Sequence, residues 1–105
     1  MKVTSLKSAD SVTLKIEVEQ VLGYEAEDFQ NALVESLNEN IKFIVVDLSY
    51  VNFISSWGIG MLMHGLATAS NRGAGFKIVG VKANIMEVFK KIKIDTVLEI
   101  TPSLD

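Results

Sequence analysis

Residues 11–19 alternate strictly between apolar and polar side chains, with Val12, Leu14, Ile16 and Val18 on one side. This period of two predicts a β-strand with one buried face and one solvated face. Residues 3–7 form a weaker strand candidate. The segment Ala9-Asp10-Ser11 between them is typical of a turn, since Asp and Ser bond their own backbone there. The chain is therefore expected to open with a β-hairpin.

Three later segments, residues 25–38, about 56–71 and 85–92, have the period of amphipathic helices. Gly73 follows the second segment, where a residue in the left-handed conformation commonly ends a helix. Asn84 and Glu87, three residues apart, are expected to form a capping box at the start of the third helix. The predicted buried stripes are Ala26, Phe29, Ala32, Leu33, Ser36 and Leu37 in the first helix, Ile59, Leu62, Met63 and Leu66 in the second, and Ile85, Val88, Phe89 and Ile92 in the third.

Apolar segments alternate with these helices. Residues 43–48 are apolar on both faces except at Asp47, as expected of a central parallel strand, and residues 76–81 and 97–100 are the next strand candidates. The order β-β-α-β-α-β-α-β predicts a mostly parallel sheet with right-handed crossovers after the N-terminal hairpin. Because residues 11–19 have one polar face, we expect the helices mainly on one face of the sheet. The fold class is α/β, and residues 1–105 form one domain.

The second helix is expected to present an apolar line to solvent. Successive helical residues turn by about 100°, which places Trp57, Met61, His64 and Thr68 opposite the predicted core stripe. Trp and Met on a surface are typical of protein interfaces. An alternative is that Trp57 folds over the preceding loop and Met61 is ordinary surface. The predicted partner-binding residues are Ser55, Ser56, Trp57, Gly58, Met61 and His64.

Ser55 and Ser56 stand where the second helix begins. Either hydroxyl can cap the free backbone N–H groups of the first turn. The same N–H groups and the helix dipole also favour bound or covalent negative charge. Two interpretations therefore stay open for these serines, helix cap and phosphate acceptor.

Asp47 ends the central strand at the carboxyl edge of the predicted sheet, where open α/β proteins place their sites. The segment Asp47-Leu48-Ser49 can instead close a turn, with the carboxylate accepting bonds from backbone N–H groups. We favour the turn, in which Asp47 and Ser49 support the loop.

Composition excludes several classes of function. The net charge is −3 and no basic run exceeds the pair Lys90-Lys91, so nucleic acid is not expected as a direct partner. The absence of cysteine removes disulfide and thiolate chemistry and fits a reducing compartment. No apolar run approaches the length of a membrane span, and the first residues lack the apolar core of a signal peptide. We expect a cytoplasmic protein without membrane insertion.

The sequence offers little for catalysis. It has no Gly-x-Gly-x-x-Gly or Walker pattern, so nucleotide binding lacks its usual phosphate cradle. The only histidine, His64, lies two helical turns from Ser56, about 12 Å along the axis and beyond hydrogen-bond reach. We expect no enzymatic activity, no cofactor and no metal centre.

The segment 45–60 contains Asp47-Leu48-Ser49, then Phe53, then Ser55-Ser56-Trp57-Gly58-Ile59-Gly60. It resembles the core signature of STAS domains, the family of bacterial anti-sigma factor antagonists. That signature is an apolar strand, Asp-Leu-Ser, a short apolar stretch ending in Phe, and Asp-Ser-Ser-Gly-Leu-Gly. Arg72-Gly73 and the segments 76–81 and 85–92 also follow the glycine-strand-helix order of the family.

The resemblance implies a phosphorylation switch. In the family, a serine at the start of this helix is phosphorylated by a partner kinase that is itself an anti-sigma factor, and phosphate releases the partner. Matched on Gly58, the acceptor position falls on Ser56, with Ser55 as second choice. A phosphate of about −1.5 to −2 charge suits a helix N-terminus while disrupting a packed partner surface.

Two positions and one segment depart from the family signature. Ser55 stands where the family has an acidic residue, Trp57 stands where it has a second serine, and residues 19–23 lack the family's Gly-Glu-Leu-Asp run. Two functions therefore stay open. One is a phospho-regulated anti-sigma factor antagonist acting in signal transduction and transcription regulation. The other is a non-phosphorylated STAS scaffold that binds a transporter, a sensor or another signalling partner. Association into a homo-oligomer also stays open.

Overall fold

The computed structural model describes residues 2–23, 26–38 and 40–102. Its elements follow the chain as β1 (Val3–Ser8), β2 (Ser11–Ile16), β3 (Gln20–Val21), α1 (Ala26–Ser36), β4 (Phe43–Asp47), β5 (Phe53–Ile54), α2 (Ser56–Asn71), β6 (Gly75–Val81), α3 (Ala83–Lys91), a 3₁₀ turn (Ile94–Thr96) and β7 (Glu99–Pro102).

Five strands form one sheet in the order β1-β2-β4-β6-β7. The β1–β2 pair is antiparallel, and the other neighbours are parallel. Strands β2, β4, β6 and β7 are added in one direction, so right-handed crossovers place all three helices on the same face. The predicted α/β class, the hairpin and the one-sided helical layer are confirmed.

The core lies between this sheet and the helices. In β2 the alternation is as expected, since Val12, Leu14 and Ile16 are buried and the residues between them are half-buried. The central strand β4 follows the same rule, with Ile44 and Val46 on the helical side. Within the described residues no helix covers the opposite face of the sheet, so Phe43 is 51% exposed although it lies in the central strand.

The second sheet has only two strands, β3 and β5, which pair in parallel, and the sequence pattern does not predict it. The Asn52 N–H donates to the Glu19 carbonyl at 2.7 Å, and the Ser55 N–H donates to the Val21 carbonyl at 2.9 Å. These bonds hold the segment before α2 against the segment before α1. Two-residue strands carry too little pattern to be recognised, and their pairing depends on residues more than thirty positions apart.

Helix α1 buries the stripe predicted for it. Phe29, Leu33 and Leu37 are buried, and Ala26 and Ala32 pack against the core. The predicted helical start at Glu25 lies outside the described residues. The helix ends at Ser36, two residues earlier than expected, although the Leu37 N–H still bonds the Leu33 carbonyl at 3.1 Å.

The capping box predicted for α3 is wrong. Lys82 holds the N-cap position without a side-chain hydrogen bond to the helix, and Asn84 lies inside the helix. The Asn84 side chain instead donates to the Asn52 carbonyl at 2.8 Å. Glu87 lies 3.3 Å from Lys91 as an exposed ion pair. A distant backbone acceptor has therefore replaced the local cap.

The buried stripe predicted for α3 is only half right. Ile85 and Phe89 are buried, whereas Val88 is 40% exposed and Ile92 is 49% exposed. The core-facing side of α3 therefore consists of the buried Ile85 and Phe89, with the partly buried Met86 packed beside them.

The last strand begins two residues later than predicted. Residue Lys93 has a φ of 62°, and the 3₁₀ turn after it occupies the residues up to Thr96. Val97 is consequently 60% exposed and lies outside β7. The strand runs on into Pro102, which is tolerated because β7 is an edge strand.

Candidate docking surface at the start of α2

The structure assigns the two serines different positions. Ser55 is the N-cap of α2, with extended backbone at φ −84° and ψ 171°. Its Oγ accepts the Gly58 N–H at 3.1 Å and donates to the Leu22 carbonyl at 2.8 Å. The hydroxyl therefore caps the helix and ties it to the end of β3.

Ser56 is the first residue of α2 and is exposed. It lies within the first turn, where free N–H groups and the helix dipole favour negative charge. Since Ser55 already supplies the cap, the Ser56 hydroxyl is not needed for that role.

Trp57 projects from the same turn and is 79% exposed, so it does not fold over the preceding loop. Gly23 lies directly behind it, since a Cβ added there would be 2.3 Å from the Cβ of Trp57. Gly23 also has a φ of 104°, a conformation that side chains strongly disfavour. Glycine at this position therefore allows the loop before α1 to pass close to the start of α2.

The predicted outward projection of Met61 is wrong, because its side chain is only 4% exposed. Gly58, Leu62, Gly65 and Ala69 are the other buried residues of α2. Ile59, Met63 and Leu66, which were predicted to form the core stripe, are only partly buried. Relative to the predicted stripe, the buried face of α2 is thus rotated toward Gly58, Gly65 and Ala69.

The reason for this rotation is close packing. A Cβ on Gly58 would be 2.7 Å from the Val21 carbonyl oxygen, and a Cβ on Gly65 would be 2.9 Å from the Phe29 ring. Gly58, predicted as a partner contact, therefore faces the protein interior. The repeated small residues of α2 indicated in the sequence where neighbouring segments could pack closely. The predicted stripe was instead assigned from the large apolar residues.

An open groove with a volume of about 480 Å³ runs between α1 and α2, and we call it the α1–α2 groove. One wall consists of Ser56, Trp57, Gly60, Met61 and His64. The other wall consists of Gly23, Ala26 and Gln30, which the sequence did not indicate as site residues. The groove brings together four of the six predicted partner-binding residues.

A chain of hydrogen bonds joins the two helices beside this groove. The Gln30 amide nitrogen donates to the Thr68 hydroxyl at 2.9 Å. The Thr68 hydroxyl donates in turn to the His64 carbonyl at 3.1 Å. Thr68 was predicted on the solvent side, and it is half-buried against α1. These bonds fix the separation of the two groove walls.

Asp47 and Ser49 form the predicted turn at the carboxyl edge of the sheet. The Asp47 Oδ1 accepts the Ser49 N–H at 2.9 Å. Gly80 passes close by with a φ of 70°, and a Cβ there would be 3.0 Å from the same carboxylate oxygen. This geometry supports the loop and leaves Asp47 outside the α1–α2 groove.

Within residues 2–23, 26–38 and 40–102, no cluster of three or more potential metal ligands is present. Across the same residues, no helix has the length and apolar character needed to cross a membrane.

The hairpin, the parallel sheet and the serine-initiated helix together define a STAS-type α/β domain. The family described as "Mlab, STAS domain" matches residues 5–100, and the chain belongs to this family. No curated protein sequence matches the chain.

Solved structures share the fold. A STAS domain protein described as an anti-sigma factor antagonist, from Planctomyces limnophilus, has a TM-score of 0.81 at 17% identity, covering 97% of this chain and 90% of that chain. A putative anti-sigma factor antagonist from Thermotoga maritima has a TM-score of 0.77 at 20% identity, with 97% and 87% covered. A sulfate transporter family protein from Wolinella succinogenes has a TM-score of 0.77 at 16% identity, with 95% and 83% covered.

Proposed function

We propose that this chain is a regulatory module that binds a protein partner through the α1–α2 groove and the exposed Trp57. The exposure of Trp57 is the observation that carries the proposal. A tryptophan that is 79% exposed on a helix, beside an open groove, offers a large surface to bury at an interface. Tryptophan is enriched among the residues that dominate interface energetics.

In the first form of this function, Ser56 is a phosphorylation site and the partner is a kinase-type anti-sigma factor. Ser56 is exposed at the helix N-terminus, and Ser55 supplies the cap independently. A phosphate on Ser56 would therefore add about −1.5 to −2 charge without removing the cap. The module would act in the cytoplasm as a phospho-regulated antagonist in transcription control. A protein described as an anti-sigma factor antagonist and another described as a putative one share its fold.

In the second form, the domain is a constitutive scaffold for a transporter, a sensor or another signalling protein. Trp57 occupies the position where the family signature has a small serine, so the docking surface is bulky and apolar without any switch. A sulfate transporter family protein shares the fold. Neither form assigns catalysis to the chain, because the wall residues Ser56 and His64 are two helical turns apart.

Binding measurements with a candidate partner encoded beside the gene test the docking surface. Trp57→Ala should weaken binding by at least about 2 kcal/mol, roughly thirtyfold, because an interface tryptophan is lost. Val88→Ala is a matched control, since Val88 is an exposed apolar residue on α3. A Trp57→Ala variant that folds and binds the partner as tightly as the parent protein would refute the proposed docking surface.

Variants of Ser56 separate the two forms. If Ser56 is a switch, Ser56→Asp should lower the affinity for the partner and Ser56→Ala should leave it unchanged. Kinase treatment should then place phosphate on Ser56. If the domain is a constitutive scaffold, both variants should bind like the parent protein. Failure of an active partner kinase to modify Ser56 or Ser55 would eliminate the switch.

A further inference from the structure

The two helices that border the α1–α2 groove carry an unbalanced set of charges. Helix α1 contains Glu27, Asp28 and Glu35 and no lysine or arginine. Helix α2 contains no aspartate, glutamate, lysine or arginine at all. The bordering helices therefore carry three formal negative charges, which equals the net charge of −3 for the whole chain. At 100° per residue, Glu27 lies toward the groove side of α1, whereas Asp28 and Glu35 lie on the opposite side, so one formal negative charge borders a groove whose wall is largely apolar.

Given the docking surface proposed above, we infer that the α1–α2 groove receives an arginine side chain of the protein partner. The groove supplies what this side chain needs, namely an aromatic face, an apolar wall for its stem and negative charge near its head. This inference rests on the proposed function in its second form, because a phosphate on Ser56, another groove residue, would attract an arginine side chain and not release it.

Trp57 supplies the aromatic face. Its ring stands exposed at one wall of the groove, so a planar guanidinium can stack on it without displacing another group of the core. Arginine stacks on aromatic rings and is more weakly hydrated than lysine, so it loses less on entering a half-enclosed groove. The buried Met61 side chain in the same wall provides a contact for the aliphatic stem.

Gln30 supplies a hydrogen-bond acceptor on the opposite wall. Its amide nitrogen is committed to Thr68, and the Thr68 hydroxyl is committed to the His64 carbonyl. Among the described residues, no donor lies within hydrogen-bond distance of the buried Gln30 Oε1. A buried acceptor without a hydrogen bond is unfavourable. A donor that reaches it therefore gains more binding free energy than a donor that merely replaces a water molecule at an exposed acceptor. Reaching this covered oxygen requires a side chain of the groove wall to move.

Glu27 supplies negative charge. It directly follows Ala26, a groove residue, and a helical turn of about 100° per residue places it on the same side of α1 as Gln30. The positive end of the α2 dipole, equivalent to about +0.5 elementary charge, opposes a cation stacked on Trp57 in the first turn. The full negative charge of Glu27 on α1 offsets this opposition.

Titration with N-acetyl-arginine amide tests the inference without requiring the partner. Trp57 is the only tryptophan, so its fluorescence reports on the groove, and backbone amide NMR shifts map the site. We expect saturable binding in the millimolar range that shifts Gly60, His64 and Gln30. The uncharged isostere N-acetyl-citrulline amide should bind at least about fivefold more weakly, because it loses the cation–π and ionic attraction. Equal binding of the two probes, or shifts confined to other surfaces, would overturn the inference.

Charge variants provide the matched control. Glu27→Gln should lower the affinity for the arginine probe about two- to fivefold, as expected for loss of an exposed ionic attraction. Glu99→Gln removes the same charge from β7 and should leave the probe unaffected. Equal weakening by both variants would indicate a general effect of net charge and would contradict the inference.

The outcome also separates the inference from the proposed function. If Trp57→Ala lowers the affinity for the protein partner but the arginine probe does not bind in the groove, the proposed docking surface is supported and the arginine inference fails. If the probe binds in the groove but Trp57→Ala leaves partner affinity unchanged, the proposed docking function fails instead.

Discussion

Neighbouring residues with the same side chain have different roles at the start of α2. The Ser55 hydroxyl both accepts and donates a hydrogen bond, and these bonds join the helix to the end of β3. The Ser56 hydroxyl is presented to solvent one residue later. The difference arises because the N-cap has extended backbone that turns its side chain back toward the helix, whereas the next residue is already helical.

Removal of the two hydroxyl groups should therefore have unequal effects on stability. Ser55→Ala should lower the free energy of unfolding by about 0.5–2 kcal/mol, the usual cost of losing an N-cap. Ser56→Ala should change it by less than about 0.5 kcal/mol, as for an ordinary surface site. Urea denaturation of both variants measures the difference. Equal destabilisation by the two substitutions would contradict the assignment of Ser55 as the cap.

Two glycines near the groove should respond oppositely to alanine. Gly23→Ala places a methyl group against Trp57 at a φ of 104° and should destabilise the domain by more than about 1 kcal/mol. Gly60→Ala is the control, because a Cβ there meets nothing within 4 Å and the residue is helical. It should stabilise the domain by about 0.5–1 kcal/mol. Thermal or urea unfolding that shows a stable Gly23→Ala variant would contradict the close approach of the two segments.

At the scale of the elements, the helices bury narrower or differently oriented faces than their hydrophobic patterns predict. In α2 the buried arc includes Gly58 and Gly65, because a helix can approach its neighbours most closely where it carries no side chain. In α3 Ile85 and Phe89 are buried and Met86 packs against the core, whereas two of the four apolar residues of the predicted stripe are exposed. The apolar period of the sequence thus predicts each helix, whereas the tertiary contacts of the helix determine which of its residues are buried.

Substitutions in α3 test this selection. Phe89→Ala should lower the free energy of unfolding by about 3–5 kcal/mol, because a fully buried ring leaves a cavity. Val88→Ala should cost less than about 1 kcal/mol, since that side chain is 40% exposed. Denaturant unfolding of the two variants gives the comparison. Similar losses at the two positions would show that α3 is rotated from the orientation described.

At the scale of the whole molecule, one face of the sheet carries α1, α2 and α3, and no helix formed by the described residues lies on the other face. This asymmetry follows from strands added in chain order with right-handed crossovers. Leu6 and Phe43, two large apolar residues, remain 57% and 51% exposed on the strands. The core is therefore a single layer between helices and sheet.

Adjacent residues of the central strand should report this one-sided burial. Ile44→Ala, on the helical side, should cost about 2–5 kcal/mol. Val45→Ala, on the face without helices, should cost about 1 kcal/mol or less, because the side chain is only partly buried. Measured by denaturant unfolding, a larger loss at Val45 than at Ile44 would contradict the layer arrangement.

The sequence by itself determined the features that depend on local geometry. Alternation over residues 11–19, the helical period of three later segments and Gly73 after α2 led to the correct class, hairpin and one-sided helical layer. The φ of 77° at Gly73 confirms the helix ending. These features could be predicted because backbone hydrogen bonding and side-chain direction repeat over a few residues.

The tertiary structure alone decided which serine caps α2, which arc of that helix is buried and what forms the second wall of the groove. The bond from the Ser55 hydroxyl to the Leu22 carbonyl holds that hydroxyl at the start of α2, where it caps the helix. Gly65 is buried because the Phe29 ring approaches it. Gln30 enters the groove because α1 packs beside α2. Each of these contacts joins residues far apart in the chain, so no local period contains it.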